Sequence, residues 1–512
     1  MLREILRKEI SKVIGGDADF KISEPERAEN GDFSTNAAFL LAKKRGQKPQ
    51  DIAQELAEQL ASSKIVKRSE AKNGFVNIFL KDSALLEELG EKIEFPKKKE
   101  KISLDYLDAN PTGPAHIGHG RSGFFGDVLS NVLIRTGFKV SREFYVNNAK
   151  VNTQIRSLGK TALGRGEEYK HAQLFSLLEK PEVKEKLKSV GDEGEAGFYI
   201  ASLIQAENRK FLEEKTMIRY DLFFEEEAAY SSGLVDKILE ELKKSGAAYE
   251  KEGAIWLKSS EKRDSEDRVL VRSTGEPTYL LPDAAYHFDR LVKRKFNLAV
   301  NIFGADHHGY GPRLKAALLF LGVDPKRIHI IEVQTARIVS GGKEVKMSKR
   351  KGEFITLVEL LNEVGLDAAR WFFLARAPET HMDFDLDLAK ERSEKNPVYY
   401  VQYAHTRMAS ILSKAQNTKY KILNTFAHPS ERALVVKILR YPELLEDISK
   451  DYQVHRLTTY AYELAQSFSA FYRDVKVLGS EREAELLYLV QKAKETLADL
   501  LKLMGISPPE KM

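Results

Sequence analysis

The order of apolar and glycine-rich segments between residues 101 and 145 constrains the fold more than any other feature of the chain. An apolar run at 102–107 is followed by a glycine-rich turn at 110–120, a helical segment that ends at Gly137, and a second apolar run at 139–145. This succession predicts a β-α-β unit, in which the two strands are parallel. Ligands of such a sheet bind beyond the carboxyl ends of the strands, where the glycine-rich turn lies.

The segments on either side of this unit differ from it in their predicted elements. Residues 1–98 predict a compact α+β unit that starts with an amphipathic helix. Charged helical segments between about 155 and 265 interrupt the alternation of strands and helices, which resumes at Thr278–Leu281. After about residue 390 only long amphipathic helices are predicted.

Four C-terminal helices complete the predicted architecture. They are expected at Pro397–Gln416, Ser430–Tyr441, Val454–Val475 and Glu481–Met504. Ser480 and Glu483 match the capping-box pattern that begins a helix. The predicted fold class is α/β, with a Rossmann-type parallel-sheet domain at 99–365 that carries an inserted helical subdomain, an N-terminal α+β domain at 1–98 and a C-terminal all-α domain at 366–512.

Length and composition narrow the class of protein. A chain of 512 residues exceeds what one hydrophobic core supports, so several domains are expected. Because the chain has no cysteine, it cannot form a disulfide or a thiolate metal site, and we expect a cytoplasmic protein without structural zinc. No apolar run approaches the roughly 20 residues of a membrane-spanning helix, so no membrane partner is expected. The net charge of +5 permits a polyanionic partner but does not require one.

The turn of the β-α-β unit carries the strongest local motif, Asn110-Pro-Thr-Gly-Pro-Ala-His-Ile-Gly-His-Gly120. A helix N-terminus presents unpaired N–H groups to phosphate, and Gly118 and Gly120 remove side chains that would hold an adenine ring away. His116 and His119 lie three residues apart, on the same face of the helix. The motif favours phosphate binding over two alternatives, a pair of histidines that only cap the helix and a zinc site, which lacks an obvious further ligand.

A second motif, Lys346-Met-Ser-Lys-Arg-Lys-Gly352, places four cationic side chains in one short loop after Gly341 and Gly342. By itself a basic loop of this kind is usually a solvated surface turn. The flanking glycines allow a loop that closes, and its lysines would then neutralise the charge of a departing pyrophosphate. Each motif is a weak to moderate signal alone.

In this order the two motifs resemble the HIGH and KMSKS signatures of class I aminoacyl-tRNA synthetases, the second in the form KMSKR. Longer blocks resemble the arginyl-tRNA synthetase family in particular and extend the resemblance over essentially the whole chain. These blocks are Gly31–Asn36, Asn110–Pro114, Pro277–Tyr279, Asp283–His287, Phe303–Tyr310, Asn396–His405 and Pro509–Met512. The segment Asp367–Arg370 is similar to the DALR sequence that names the anticodon-binding domain of this family, with alanine in place of leucine.

The resemblance implies an arginine–tRNA ligase. ATP, bound with Mg²⁺, would activate L-arginine to arginyl-adenylate, and the 3′-terminal adenosine of tRNA(Arg) would then accept the arginyl group. The enzyme is expected to be a monomer and to need bound tRNA for the activation step. The catalytic residues implied are His116, His119, Lys346 and Lys349. The ATP-binding residues implied are Pro114, Gly118, Gly120, His307, Met347 and Ser348.

The arginine site is expected among acidic and aromatic side chains of the crevice. A guanidinium is planar and always charged, so its pocket needs carboxylates in fixed positions. The candidates are Asp105, Asp108, Asn110, Tyr279, Asp283 and Asp306. By resemblance, Tyr279 and Asp283 read the side chain and Asn110 holds the amino-acid backbone. The alternative for each aspartate is a helix cap or a turn.

Two segments depart from the family pattern. Where the family usually has glutamate and serine, this chain has Asp105 and Asp108, so one carboxylate is shorter by a methylene and one hydroxyl has become a carboxylate. We hypothesise that Asp108 compensates for the shorter Asp105. Asn148 replaces the usual aspartate and extra residues precede Gln154, so family contacts at these two positions do not transfer directly.

The tRNA is expected to bind at both ends of the chain. By resemblance, the N-terminal domain, including Asn36, contacts the outer corner of the tRNA. In the C-terminal domain, aromatic residues interleaved with basic ones suit stacking on unpaired anticodon bases, although about half of these side chains must belong to the helix core. The candidates there are Tyr399, Tyr403, His405 and Arg407.

Two other functions fit parts of the sequence. One is a synthetase for another amino acid, which the acidic crevice disfavours because a neutral or acidic substrate side chain would leave carboxylates unpaired. The other is an inactive paralogue that only binds RNA. The intact histidines and lysines of the two motifs argue against it, because such a protein has no use for them.

Overall fold

The computed structural model describes the chain except for residues 17–19, 26, 263, 308, 346–355 and 416–418, and for Ala28 and Asp306 it describes only the backbone. Three regions follow one another along the described chain: an N-terminal α+β unit, a parallel-sheet unit and a C-terminal group of helices. No described helix is both long enough and apolar enough to cross a membrane.

The N-terminal unit is a four-stranded antiparallel sheet packed against helices. Its strands are β1 (Ile22–Ser23), β2 (Phe33–Thr35), β3 (Val66–Lys72) and β4 (Phe75–Leu80), paired in the order β1-β2-β4-β3. Its helices are α1 (Leu2–Ile14), α2 (Ala37–Arg45), α3 (Pro49–Leu60) and α4 (Asp82–Gly90). Helix α1 buries Leu2, Leu6 and Ile10, which confirms its predicted amphipathic pattern.

The central sheet consists of five parallel strands. They are β5 (Lys101–Tyr106), β6 (Lys139–Val146), β7 (Leu222–Glu225), β11 (Leu298–Gly304) and β12 (Ile328–Val333), in the order β12-β11-β5-β6-β7. Helix α5 (Ile117–Arg135) joins β5 to β6, which confirms the predicted β-α-β unit. At Gly126 of α5 a Cβ would lie 2.3 Å from the ring of Tyr106, so only glycine permits this close approach of helix and sheet.

Between β6 and β7 the chain leaves the sheet and forms four α-helices followed by a π-helical turn (Leu212–Thr216), which together we call the helical insertion. The α-helices are α6 (Thr153–Ala162), α7 (Ala172–Glu179), α8 (Pro181–Lys188) and α9 (Glu193–Phe211). The helical insertion encloses a hydrophobic core of its own, which includes Ile155, Leu174 and Ile200. Because β7 already returns to the parallel sheet, the predicted helical interruption up to about residue 265 is too long.

A small antiparallel sheet follows β7. After α10 (Glu226–Ser231) and α11 (Leu234–Lys244), strands β8 (Ala248–Lys251), β9 (Ala254–Leu257) and β10 (Arg268–Val271) pair in the order β10-β9-β8. The predicted strand at Thr278–Leu281 is wrong, since helix α12 (Leu280–Phe288) begins there. Apolar residues recur at helical spacing from Leu280 to Ala285, and a proline is tolerated in a first helical turn.

The remaining elements of the parallel-sheet unit lie around β12. Helix α13 (Tyr310–Phe320) connects β11 to β12. Strands β13 (Ala336–Ser340), β14 (Lys343–Glu344) and β15 (Met382–Asp385) form a third small sheet, in the order β14-β13-β15. The helices of this part are α14 (Leu357–Val364), α15 (Leu366–Leu374) and α16 (Leu386–Lys390).

The C-terminal region is helical, as predicted. Its helices are α17 (Pro397–Lys414), α18 (Pro429–Leu439), α19 (Tyr441–Asp451), α20 (Arg456–Asp474) and α21 (Glu483–Leu503). Four of them confirm predicted helices, and α19 was not predicted. The predicted capping box is wrong, because α21 begins at Glu483 itself, while the Ser480 hydroxyl donates backwards to the Val477 carbonyl.

Arg370 of α15 joins the parallel-sheet unit to the C-terminal helices. This fully buried guanidinium donates from Nη1 to Asp127 Oδ2 of α5 at 2.8 Å and to the Met504 carbonyl at 3.0 Å. Its Nη2 donates to the Thr216 carbonyl, beyond α9, at 2.7 Å. One side chain therefore holds together α5, the end of the helical insertion and the end of α21.

Asp32 joins the N-terminal unit to the same C-terminal helices. Arg432 of α18 donates to both oxygens of the Asp32 carboxylate, at 2.9 and 2.7 Å, and to Asp82 at 2.9 Å. Arg440, at the end of α18, donates to the Asp32 backbone carbonyl. Because Asp32 and Arg440 are buried, these bonds fix the orientation of the N-terminal unit on the helices.

Replacing Arg370 with alanine is expected to lower the free energy of unfolding by about 3–5 kcal/mol, because Asp127 and two backbone carbonyls would stay buried without their partner. The measurement is urea unfolding followed by circular dichroism. The control is Arg376→Ala, an exposed residue after α15, for which a change below about 0.5 kcal/mol is expected. Equal losses in the two variants would contradict the role assigned to Arg370.

Candidate active site

Helix α5 begins at the glycine-rich turn, and two histidines cap its first turn. His116 Nδ1 accepts the N–H of Gly118 at 3.2 Å, and His119 Nδ1 accepts the N–H of His116 at 3.2 Å. The two ring centroids are 3.7 Å apart. Helix capping is thus a role of both histidines, although the sequence motif favoured phosphate binding over capping. It does not exclude phosphate binding, because capping uses only Nδ1.

The capping bonds also determine the protonation of these rings. A nitrogen that accepts a hydrogen bond carries no proton, so a neutral ring has its proton on Nε2. Burial lowers the pKa of His119 to about 3, and the charge of His116 adds to this effect. His119 is therefore a neutral ring with an Nε2–H donor near neutral pH.

Strand β5 ends in a strained turn. Leu107 (φ 77°) and Asp108 (φ 44°) are consecutive non-glycine residues in the left-handed region, a conformation that costs of order 1–3 kcal/mol per residue. Leu107 is buried against Gly123 of α5, where a Cβ would lie 2.6 Å from its side chain. Asp108 Oδ1 accepts the N–H of Tyr145 on β6 at 2.8 Å. These contacts hold the turn at the carboxyl ends of β5 and β6.

Asp105 and Glu143 are buried side by side on β5 and β6. The Tyr286 hydroxyl oxygen of α12 lies 3.2 Å from Asp105 Oδ1 and 3.0 Å from Glu143 Oε2. Arg294 donates to both oxygens of Glu143, at 2.7 and 2.9 Å, and Arg290 Nε lies 4.0 Å from Glu143. Although burial opposes its charge, the bonds from Arg294 and the charge of Arg290 hold the pKa of Glu143 below its usual range.

The two aspartates at the end of β5 are less well compensated than Glu143. Burial raises the pKa of Asp105 to about 6, against the opposing charge of Arg290. Burial and the charge of Asp105 raise the pKa of Asp108 well above its usual range, against its hydrogen bond from Tyr145. The described cations of the protein therefore leave negative charge at this end of the sheet incompletely balanced.

Asp283 of α12 lies in the same group. Its Oδ1 is 3.0 Å from Nδ1 of the buried His287, and its Oδ2 accepts the Tyr310 hydroxyl. Although burial favours the neutral form, the charge of His287 and these bonds hold the pKa of Asp283 below its usual range. Asp283 is therefore an ionised carboxylate at neutral pH, and its pKa is shifted in the opposite direction from those of Asp105 and Asp108.

Tyr310 also connects the aromatic candidates. The ring centroid of Tyr310 lies 5.3 Å from that of Tyr279 and 6.1 Å from that of His307. Tyr279 is 60% exposed and accepts a hydrogen bond from Arg313. The backbone of Asp306 lies in a short 3-10 turn after β11, and its side chain is outside the described set. Among described residues, no group of three or more histidine, aspartate or glutamate side chains is arranged to hold a metal ion.

The loop before α5 contacts the chain that follows β6. Asn110 is exposed, and its Oδ1 accepts a hydrogen bond from Asn147 Nδ2 at 3.1 Å. Asn148, by contrast, is buried and accepts the N–H of Glu227 at 3.1 Å, so its side chain supports α10 rather than the crevice. Gln154 lies in the first turn of α6, and its buried Oε1 has no hydrogen-bond partner.

The second motif lies outside the described residues. This applies to Lys346, Met347, Ser348 and Lys349. The chain that follows it is bonded directly to the first motif, since Thr356 forms a β-bridge with His116 and the Leu357 N–H donates to the Ala115 carbonyl at 2.9 Å. The described chain that resumes at Thr356 therefore lies at the N-terminus of α5.

The expected tRNA contacts divide into exposed and buried side chains. Tyr399 and Tyr403 of α17 have parallel rings 6.5 Å apart, and Arg407 lies 5.2 Å from the rings of both Tyr403 and Tyr472. The expectation for His405 is wrong, because this residue is 1% exposed and its Nδ1 is 2.9 Å from the Pro509 carbonyl, so it cannot stack on a base. Asn36 lies just before α2, where its Oδ1 accepts the Lys21 N–H at 2.8 Å.

Sequence reasoning missed the buried charges that hold the site together. Arg290 donates to Ser103 and Asn301 on neighbouring strands, and Glu226, at the carboxyl end of β7, has its pKa raised to about 7 by burial. Arg121 of α5 donates to the carbonyl oxygens of Gln334, Thr335, Ala377 and Thr380. A single buried charge has no periodicity, and its only signal is a charged residue inside an otherwise apolar segment.

We expect the His119 ring to stay neutral in the folded protein from pH 8 down to about 4, with its proton on Nε2, because protonating Nδ1 would break its bond to the His116 N–H. Since the pKa in the fold is about 3 and that of a free histidine is near 6.5, this ring should cost stability as the pH falls between those values. The measurement is ring ¹⁵N chemical shifts during a pH titration, with the exposed His381 as reference. Titration of His119 near 6.5 would contradict the assignment.

Comparisons with known proteins agree with this geometry along the chain. Family models match residues 1–80 (arginyl tRNA synthetase N terminal domain), 185–384 (tRNA synthetases class I (R), catalytic domain) and 401–512 (DALR anticodon binding domain). An arginine–tRNA ligase of Staphylococcus aureus is 36% identical over 527 aligned positions, which cover 96% of this chain and 95% of that protein.

Two solved structures share the fold. The arginyl-tRNA synthetase of Thermus thermophilus aligns with a TM-score of 0.83 at 24% identity, over 100% of both chains. That of Plasmodium falciparum aligns with a TM-score of 0.80 at 19% identity, over 100% of this chain and 98% of the other. With histidines and acidic side chains at the carboxyl ends of a parallel sheet, and with relatives matched from end to end, this chain belongs to the arginyl-tRNA synthetase family of class I aminoacyl-tRNA ligases.

Proposed function

We propose that this arginine–tRNA ligase forms arginyl-adenylate in the crevice at the carboxyl ends of β5, β6 and β11. The carboxylate of L-arginine would attack the α-phosphorus of ATP, pyrophosphate would leave, and a ribose hydroxyl of the 3′-terminal adenosine of tRNA(Arg) would then take the arginyl group. The strongest support is the incompletely balanced negative charge of Asp105 and Asp108. Because a guanidinium is always cationic, arginine supplies the missing positive charge.

The guanidinium would be held chiefly by Asp108 and Asp283. Asp283 is ionised, and Asp108 uses Oδ1 for one hydrogen bond, so both retain acceptor capacity. Asp105 is more deeply buried than Asp108 and faces the Tyr286 hydroxyl. This arrangement supports our hypothesis that Asp108 compensates for the shorter Asp105 in contacting the guanidinium. Tyr279 would cover the side chain at the mouth of the pocket. Asn110 and Asp306 are proposed contacts of the remaining arginine atoms.

The nucleotide would lie along the N-terminus of α5. His116 and His119 would donate from Nε2 to the triphosphate, since capping occupies their Nδ1 atoms, and these donors would add to the positive end of the helix dipole. The proposed contacts of the adenosine moiety are Pro114, Gly118, Gly120, His307, Met347 and Ser348. Lys346 and Lys349 would neutralise the leaving pyrophosphate, and Mg²⁺ would enter as the counterion of ATP.

The tRNA would contact both ends of the molecule. The exposed Tyr403 and Arg407 and the half-buried Tyr399 form an aromatic and cationic surface on α17, which suits stacking on unpaired anticodon bases. On the N-terminal unit, the rings of Phe39 and Phe75 are both exposed and lie 5.0 Å apart. This exposed aromatic pair, beside the basic end of α2 and near the proposed contact Asn36, supports a second tRNA surface there.

The wider organisation is also a proposal. We assign the tRNA-elbow domain to 1–98, the catalytic domain with the helical insertion between β6 and β7 to 99–365, and the anticodon-binding domain to 366–512. The N-terminal and anticodon-binding matches fall inside these bounds, while the catalytic match extends to residue 384, past the proposed boundary at 365. The protein would act as a cytoplasmic monomer without structural zinc or a membrane partner, because it has no cysteine and a single chain supplies all of the proposed contacts.

The activity is tested by ATP–pyrophosphate exchange with each amino acid, with and without tRNA(Arg). Exchange is expected with arginine, and only when tRNA(Arg) is present. Exchange with another amino acid would identify a different synthetase. Tight binding of tRNA without exchange would identify an inactive RNA-binding paralogue and contradict the proposal.

The affinity for arginine should rise with pH through about 6, because binding a cation favours the ionised forms of Asp105 and Asp108 and so releases protons. Each released proton changes the dissociation constant by up to about tenfold per pH unit. The measurement is isothermal titration calorimetry of arginine binding between pH 5 and 8, in buffers of different ionisation enthalpy.

Asp108→Ser, which restores the usual family residue, tests the compensation hypothesis. It is expected to weaken arginine binding at pH 7.5 by about tenfold and to flatten the pH dependence, because one proton-linked carboxylate is lost. Asp289→Ser is the control, since Asp289 pairs with Arg294 on the far side of Glu143. Unchanged affinity in Asp108→Ser would show that Asp105 needs no compensation.

Tyr403→Ala is expected to weaken tRNA(Arg) binding by about tenfold or more, because stacking on a base contributes about 1–3 kcal/mol. Filter binding measures the dissociation constant. Tyr420→Ala is the matched control, since both tyrosines are 39% exposed but Tyr420 lies off α17. Equal effects of the two substitutions would place the anticodon contact elsewhere.

A further inference from the structure

The loop Asn110–Gly113 is held by three side chains of the chain that follows β6. Asn147 donates to the Asn110 side chain at 3.1 Å. His171, the N-cap of α7, lies with Nε2 2.8 Å from the Thr112 carbonyl, and Asn208 of α9 donates from Nδ2 to the Gly113 carbonyl at 2.9 Å. Two of the three side chains belong to the helical insertion, and they bind consecutive carbonyls of the loop.

We propose that the helical insertion holds this loop in the geometry required for adenylate formation, with His171 and Asn208 as its positioning residues. The inference rests on the proposed function, since the loop carries Asn110 and leads through Pro114 to His116. Neither His171 nor Asn208 touches substrate in this assignment. Both act through the two carbonyls that they bind.

The helical insertion is built as a rigid support for these two contacts. Helices α6 and α9 cross at backbone contact, because a Cβ on Gly159 would lie 1.8 Å from the Glu193 carbonyl and one on Gly197 would lie 1.8 Å from the Ile155 carbonyl. At these two positions the backbones of the helices are in direct contact, and no side chain of residue 159 or 197 separates them. Asn208 is buried on α9, so its amide is fixed by the same packing.

The bonds of His171 require one tautomer. Its Nδ1 accepts the Leu174 N–H at 3.2 Å, which caps α7, so the proton of the neutral ring is on Nε2 and is donated to the Thr112 carbonyl. A single ring thus connects the first turn of α7 with the loop. The absence of a side chain at Gly113 allows this approach, since a Cβ there would lie 3.3 Å from the His171 ring.

The loop lies between two parts of the proposed active site. Asn110, at its start, is the proposed contact of the arginine backbone, and the α5 cap with His116 follows it directly. A displacement of about 1 Å at a reacting centre reduces the rate by up to about 100-fold. Losing one carbonyl anchor should therefore lower kcat for activation more than it raises KM, because the groups that bind substrate remain present.

Two substitutions at His171 separate positioning from folding. Asparagine places an oxygen near the position of Nδ1, so His171→Asn keeps the cap of α7 but loses the bond to Thr112. Glutamine places its amide nitrogen near the position of Nε2, so His171→Gln keeps the bond to Thr112 but loses the cap. We expect kcat for arginine-dependent ATP–pyrophosphate exchange to fall at least about tenfold in His171→Asn and to stay within about threefold of wild type in His171→Gln.

Asn208→Asp is the second test, because it preserves the shape of the side chain and removes the donor to the Gly113 carbonyl. A fall in kcat of about tenfold or more is expected, with unchanged tRNA(Arg) affinity. Lys210→Ala, at an exposed position on the same helix, is the control and should match wild type in every measurement.

The outcomes distinguish this inference from the proposed function. Wild-type protein without arginine-dependent exchange would overturn the proposed function, and the inference with it. Normal exchange in wild type together with normal kcat in both His171→Asn and Asn208→Asp would overturn only the positioning role. A loss of tRNA affinity parallel to the loss of exchange would also overturn it, since the helical insertion would then act as a tRNA-docking surface.

Discussion

The buried ion pair of Arg370 and Asp127 is the interaction on which the arrangement of the molecule depends. A charge removed from water is tolerated only where a partner and further hydrogen bonds satisfy it, and here the partners come from α5, from the end of the helical insertion and from the end of α21. Because α5 also carries His116 at its other end, the same helix links the crevice to the C-terminal helices. The position of the proposed anticodon surface relative to the active site is therefore set by buried charge.

Charge balance also distinguishes the carboxylates of the crevice from one another. Glu143 is neutralised by Arg294 and Arg290 and so belongs to the framework, while Asp105 and Asp108 have raised pKa values because burial is only partly offset. In the proposed assignment, the cationic side chain of arginine completes that charge balance. At the N-terminus of α5, His119 is a neutral N–H donor rather than a cation, because its capping bond and its burial keep the ring neutral. In the proposed assignment, the crevice binds the guanidinium through carboxylates and the triphosphate through N–H groups.

Much of the fold could be predicted from the sequence, for reasons that are local. The β-α-β unit at 101–145 and four of the C-terminal helices were predicted because periodicity and glycine positions reflect backbone conformation directly. The strand expected at Thr278–Leu281 failed because a short apolar run suits a strand or a helix equally well. Ser480 is a residue type that often caps helices, but it does not cap α21, because its hydroxyl donates to the Val477 carbonyl instead.

The sequence by itself determined the family, the order of the elements and the residue types that chemistry requires, because motifs and hydrophobic periodicity are properties of neighbouring residues. Only the tertiary structure decided which of those residues face the crevice. It buried His405 beneath the C-terminal tail and made both histidines of the first motif into helix caps. It also brought His171 and Asn208 into hydrogen-bond contact with the loop Asn110–Gly113, which is distant from them in sequence. The physical reason is that burial and hydrogen-bond partners arise from contacts between remote segments, which no local pattern encodes.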